Sequence, residues 1–86
     1  MKLGFIGTGR IATAVIKGFC SSSIKNTTIS LSPRSKSNSI YLARTFPKVK
    51  RLKSNQLVLD NSDIIFVEFS FVLKVWFKYF NQSNRY

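Results

Sequence analysis

The sequence predicts an α/β fold, a parallel sheet whose strands alternate with helices. Three observations carry that prediction. The apolar run Leu3-Gly4-Phe5-Ile6 leads directly into Gly7-Thr8-Gly9-Arg10-Ile11-Ala12, a G-x-G-x-x-A pattern, and a helical periodicity follows it. Short β-rich runs then alternate with helical patterns as far as Val67. Ile64-Ile65-Phe66-Val67 is a continuous apolar run, as expected of a strand buried on both faces.

In chain order, residues 2 to 6 form the first strand. The first helix is expected from about Arg10 to Phe19, with Ile11, Ala14, Val15, Gly18 and Phe19 on one face. Gly18 on that face is expected to allow close approach to the sheet at some expense in helix stability. Ser21-Ser22-Ser23 breaks the pattern, and Thr27 to Leu31 is the second strand, rich in β-branched residues. Ser32-Pro33-Arg34-Ser35 is a turn, because Pro33 cannot donate to a central ladder. Ile40, Ala43 and Phe46, with Leu42, mark the second helix, which Pro47 ends. Val49 to Leu52 is a short third strand. Ser54 or Asn55 caps a third helix carrying Leu57, Val58 and Leu59. Asn61-Ser62-Asp63 turns the chain into the fourth strand, Ile64 to Val67. The order β-α-β-α-β-α-β makes a Rossmann-like parallel sheet, first half only, since 86 residues leave no room for the second half. The chain therefore reads as a partial dinucleotide-binding domain over residues 1–68 and an aromatic tail over 69–86. The tail is expected to be irregular or helical: Phe71, Val75 and Lys78-Tyr79 suggest a short amphipathic helix, and Asn81 to Tyr86 look disordered. The fourth strand would then have an uncovered edge.

The glycine pattern carries chemistry. Gly7 allows the tight turn, Gly9 lets backbone approach a pyrophosphate, and the small Ala12 lets the helix pack on the strand. The helix N-terminus directs its N–H groups and positive dipole end at the phosphates. NAD-preferring sites place an acid at the end of the second strand, about 20 residues past the glycines, to bind the ribose 2′-hydroxyl. Here no acid precedes Asp60, and Ser32, Arg34, Ser35 and Lys36 stand at that place. A guanidinium and hydroxyls suit a 2′-phosphate, so the expected cofactor is NADP(H).

Composition bounds the rest. Without histidine and with one cysteine, Cys20, the chain offers no zinc site, no histidine-based triad and no internal disulfide. Cys20 ends an apolar helix and suits a small buried position in a reducing compartment. The first strand starts at residue 2 or 3 with no apolar signal segment before it, and Glu68, Lys74 and Lys78 interrupt the apolar tail. A cytoplasmic protein without a membrane partner is expected. The net charge is +11, from fourteen Lys and Arg against three acids. The cations are scattered and only Lys48 to Lys53 is a cluster, so no specific nucleic-acid partner is expected, although nonspecific polyanion binding is.

Met1-Lys2-Leu3-Gly4-Phe5-Ile6-Gly7-Thr8-Gly9, with Ile11-Ala12 and Ala14-Val15-Ile16-Lys17-Gly18, resembles the start of pyrroline-5-carboxylate reductase and of the wider group that includes coenzyme F420-dependent NADP oxidoreductases. Ser32-Pro33-Arg34-Ser35 is similar to that family's NADP turn, and Asn55, Val58 and Asn61 to Val67 are similar to its third helix and fourth strand. The resemblance implies a two-domain NADPH enzyme of proline biosynthesis, which reduces a C=N bond and carries a helical substrate and dimerisation domain. By the same resemblance Gly7, Thr8, Gly9, Arg10, Ile11 and Ala12 lie at the pyrophosphate loop, Ser32, Arg34 and Ser35 at the 2′-phosphate, and Asn55 near the adenosine. Two places depart from the family. Arg10 stands where asparagine is usual, and Glu68-Phe69-Ser70 follows the fourth strand where a proline-ended segment is usual.

The reading is a truncated NADP(H)-binding fragment of such an oxidoreductase, inactive alone and without a catalytic residue of its own. Its partner would be a separate helical domain or a second copy of the chain. Two alternatives stand beside it: a stand-alone nucleotide-binding module or split subunit, and a basic nucleic-acid-binding protein.

Overall fold

The computed structural model describes residues 1–78. The elements are β1 (Lys2–Ile6), α1 (Arg10–Ser21), β2 (Thr28–Leu31), α2 (Lys36–Thr45), β3 (Val49–Arg51), α3 (Asn55–Asp60), β4 (Ile64–Phe69) and β5 (Val72–Phe77). They build a five-stranded sheet in the order β3-β2-β1-β4-β5. β1 pairs in parallel with both β2 and β4, and β2 with β3, whereas β5 runs antiparallel to β4. The architecture is the expected Rossmann-like α/β arrangement, mainly parallel.

β1 has helices over both faces, and its side-chain alternation divides them. Leu3 and Phe5 point into the main core with Ile29, Leu31 and Val49 from β2 and β3, Ala12 and Ile16 from α1, and Leu42 from α2. Ile6, on the opposite face, joins Val58 of α3 and Ile65 of β4 in a smaller cluster. Phe66 of β4 stacks on Phe5 with centroids 4.5 Å apart, and the edge of Phe19 meets Phe66 at 6.5 Å. These offset and edge contacts lock α1 to the middle of the sheet. α3 is capped by Ser54, whose Oγ accepts from the Leu57 amide at 3.2 Å. Gly4 leaves room for Ser62, whose hydroxyl donates to the Val58 carbonyl at 2.6 Å.

The buried stripe of α1 differs from the sequence expectation by one residue. It runs through Ala12, Val15, Ile16, Phe19 and Cys20, while Ala14 and Gly18 face solvent. Both stripes obey helical spacing, but one residue rotates a helix by about 100°. The choice follows from docking: Ala12, fully buried, is the residue small enough to sit where the helix starts against the sheet. Nothing lies within 4 Å of a Cβ built on Gly18, so Gly18 is not a packing glycine.

The region after Val67 is corrected more fully. It is strand: β4 continues to Phe69, Ser70-Phe71 turn, and β5 returns in register with Phe69 opposite Val72 and Ile64 opposite Phe77. The expected helix around Phe71 and Val75 does not form, and the edge of β4 is covered by β5. Ser70 and Phe71 have φ of 49° and 64°, the positive pair that a two-residue hairpin turn needs to match strand twist. The rest of that tail, residues 79–86, lies outside the described residues, including the segment expected to be disordered. Among the described residues no helix is long and apolar enough to cross a membrane, and no cluster of His, Cys, Asp or Glu could hold a metal.

Cys20 is half-buried, and desolvation pushes its thiol up, only partly offset by nearby Lys48. Because less thiolate is present near neutral pH, alkylation by iodoacetamide should be slower in the folded protein than in urea. Gly18→Ala should raise stability by up to about 1 kcal/mol, since the exposed helix interior gains propensity and meets no neighbour. A denaturant titration reads this, and a destabilised variant would contradict the placement of Gly18.

Candidate functional site

In an open parallel sheet, ligands bind at the carboxyl ends of the strands where the strand order reverses. Here that point lies between β1 and β4, with the loop after β1 above it. Gly7 has φ +85°, and a Cβ there would sit 2.9 Å from the Glu68 carbonyl oxygen, so both conformation and space call for glycine. Gly9 is the N-cap of α1 and contributes no side-chain cap. The N-terminus of this 12-residue helix therefore presents backbone donors and the positive dipole end at the crevice.

The β2–α2 turn staples this loop. Ser32 Oγ accepts from the Gly7 amide at 3.1 Å, and Ser35 Oγ accepts from the Thr8 amide at 3.3 Å. Asn38 Nδ2 donates to the Thr8 carbonyl at 2.7 Å, and the Thr13 hydroxyl donates to the same oxygen at 3.4 Å. Ser35 has φ 51°, a left-handed value that aims its hydroxyl at the loop rather than at its own helix. Thr8 and Ser32 are fully buried. Ser32 thus lies beneath the loop, with its hydroxyl on the Gly7 amide. Arg10 and Arg34 are exposed, Arg10 at the start of α1 and Arg34 on the turn. Ile11 is half-buried and Ala12 buried. Asn55 opens α3, exposed, next to the capping Ser54.

Two residues of the site were missed. Arg51, at the end of β3, donates from Nε to Ser39 Oγ at 2.8 Å and from Nη2 to the Pro33 carbonyl at 3.1 Å. It ties the end of β3 to the 32–35 turn through the Pro33 carbonyl. A strand-end arginine after a turn that already carries one was the available signal. The other is Glu68. Its Oε1 accepts from the Ala12 amide at 2.7 Å and its Oε2 from the Ile11 amide at 3.3 Å. The same carboxylate lies 2.5 Å from where a Gly9 Cβ would be. An anion thus already sits on the α1 N-terminus, and the donor set fits a phosphate oxygen by the same chemistry.

A mainly parallel Rossmann-like sheet with a glycine loop, a helix N-terminus and a basic second turn defines a dinucleotide-binding protein. The family model for NADP oxidoreductases, coenzyme F420-dependent, matches residues 2–75, and the chain belongs to that family. It is therefore an oxidoreductase domain whose small-molecule partner is a nicotinamide cofactor. No curated protein and no solved structure matches the chain significantly.

Ser32→Ala should lower stability by about 1–3 kcal/mol, because the buried Gly7 amide loses its acceptor. Arg34→Ala, at an exposed position, should leave stability within about 0.5 kcal/mol of the parent. Parallel urea titrations distinguish a structural serine from a surface arginine.

Proposed function

We propose that this chain is the NADP(H)-binding part of an oxidoreductase resembling pyrroline-5-carboxylate reductase, and that it requires a separate helical substrate domain to turn over. The observation that carries the cofactor choice is the end of β2. No carboxylate stands there to take a ribose 2′-hydroxyl, while Arg34 is exposed on the turn and Arg51 is bound to the Pro33 carbonyl of that turn. A planar guanidinium gives a forked contact to a 2′-phosphate. Gly7, Gly9, Arg10 and the Ile11 and Ala12 amides make up the pyrophosphate subsite in this reading. Thr8, Ser32 and Ser35 hold its shape, with Ser35 within reach of the 2′-phosphate, and Asn55 lies by the adenosine.

The bound cofactor supplies hydride chemistry, and the protein binds and orients it. The family resemblance over Met1 to Gly9, Ala14 to Gly18 and Asn61 to Val67 supports C=N reduction of a cyclic imine acid in proline biosynthesis. The need for a partner is supported by β5, which runs antiparallel at the position beside β4 where a doubly wound sheet continues in parallel. The exposed aromatics Phe69, Phe71, Trp76 and Phe77 lie on this hairpin. A nucleotide-binding module or split subunit is the same site without the catalytic assignment.

Arg34→Ala should weaken NADPH by roughly 1.5–3 kcal/mol, the scale of a charged hydrogen bond, and leave NADH nearly unchanged. Calorimetric titration of both cofactors checks this, and equal losses would remove Arg34 from 2′-phosphate recognition. The chain alone should show no NADPH-dependent reduction of pyrroline-5-carboxylate, and co-expression with a helical reductase domain should restore it. Salt-sensitive DNA binding that is indifferent to NADPH would instead favour the basic-protein reading.

A further inference from the structure

We propose that Glu68 is a built-in occupant of the phosphate subsite, so that a dinucleotide binds in competition with the chain's own carboxylate. The proposal rests on the reading of the α1 N-terminus as that subsite, and adds an autoinhibitory contact to it.

The placement follows from register and alternation. Ile6 pairs with Val67, so the next residue of β4 lies level with Gly7 at the mouth of the crevice. Phe66 faces α1, as its contacts with Phe5 and Phe19 show, and side chains alternate along a strand. Glu68 is therefore turned to the same face, under the first turn of α1. Its two carboxylate oxygens each take one amide of that turn, Ala12 at 2.7 Å and Ile11 at 3.3 Å. The space that Gly9 leaves open is filled by the same group. A phosphate would need those amides and that space.

Charge singles out the residue further. The chain has three acids, Asp60, Asp63 and Glu68. Asp63 Oδ2 accepts from the Lys2 amide at 3.2 Å and Asp60 Oδ1 accepts from Gln56 Nε2 at 2.9 Å, both at the amino ends of β1 and β4. Glu68 is the one acid at the carboxyl ends, and it lies on a positive helix end. A more highly charged anion satisfies the same amides and displaces it, after which the Glu68 side chain points into solvent beside the hairpin. Apparent affinity is reduced by the fraction of molecules in which the carboxylate occupies the subsite.

The test compares the full chain with Glu68→Gln and Glu68→Ala, using inorganic pyrophosphate and NADPH as separate probes. Calorimetry should show both variants binding pyrophosphate about tenfold tighter than the parent, the scale expected for an anion at a partly buried helix N-terminus. The Ile11 and Ala12 amide resonances should shift on substitution and, in the parent, on adding pyrophosphate. The Glu68 carboxyl carbon resonance of the parent should move on addition of pyrophosphate, a measurement that needs no variant to fold. Equal pyrophosphate affinity in all three proteins, or a Glu68 carboxyl unmoved at saturation, would overturn the proposal. If pyrophosphate behaves as expected while NADPH binds none of the proteins, the cofactor reading falls and the occupancy by Glu68 stands. If NADPH binds all three equally, the cofactor reading stands and the competition is overturned.

Discussion

The structure depends on β1 being paired on both edges and covered on both faces within five residues. Its parallel pairing with β2 and β4 fixes the point where the strand order reverses. Its alternation sends Leu3 and Phe5 to one core and Ile6 to the other. A strand so constrained has one acceptable register, because a slip by one residue would exchange the two faces. Everything above its carboxyl end then inherits a defined position. The glycine loop, the start of α1 and the end of β4 meet there because β1 cannot move.

The loop itself is held by neutral hydrogen bonds from the β2–α2 turn and by one charged contact from β4. Ser32 and Ser35 take successive amides of the loop, and Asn38 takes its Thr8 carbonyl. Those contacts shape the loop without consuming the amides at the start of α1. Ile11 and Ala12 therefore face a carboxylate that the opposite strand provides. In a chain of net charge +11, one acid at this position matters more than its number suggests. It places a negative charge on the positive helix end.

The β4–β5 hairpin shows a local preference overridden by pairing. Ser70-Phe71 lacks the glycine or asparagine that normally relieves two successive positive φ angles. The ladder beside it, six residue pairs from Ile64–Phe77 to Phe69–Val72, holds the turn in that geometry. Pairing satisfies the β4 edge and makes β5 the edge strand among the described residues, with Val72, Val75, Trp76 and Phe77 about half exposed. An apolar edge strand of this kind is a liability for edge-to-edge pairing.

Much of the fold could be read directly from residues. The glycine pattern after an apolar run, the caps and proline stops, and the apolar Ile64–Val67 run determined the order of strands and helices, because each is a local signal tied to one backbone geometry. The glycine loop and the 32–35 turn, the elements of the candidate site, were legible for the same reason. Which stripe of α1 is buried was not, since two stripes one residue apart satisfy helical spacing equally and only docking of Ala12 on the sheet separates them. The fate of residues 69–77 was not either, because an apolar aromatic run fits a helix or a strand and its turn carries no glycine or asparagine. The placement of Glu68 on the α1 amides was decided by strand register, a relation between residues 56 and 57 positions apart that no local pattern encodes.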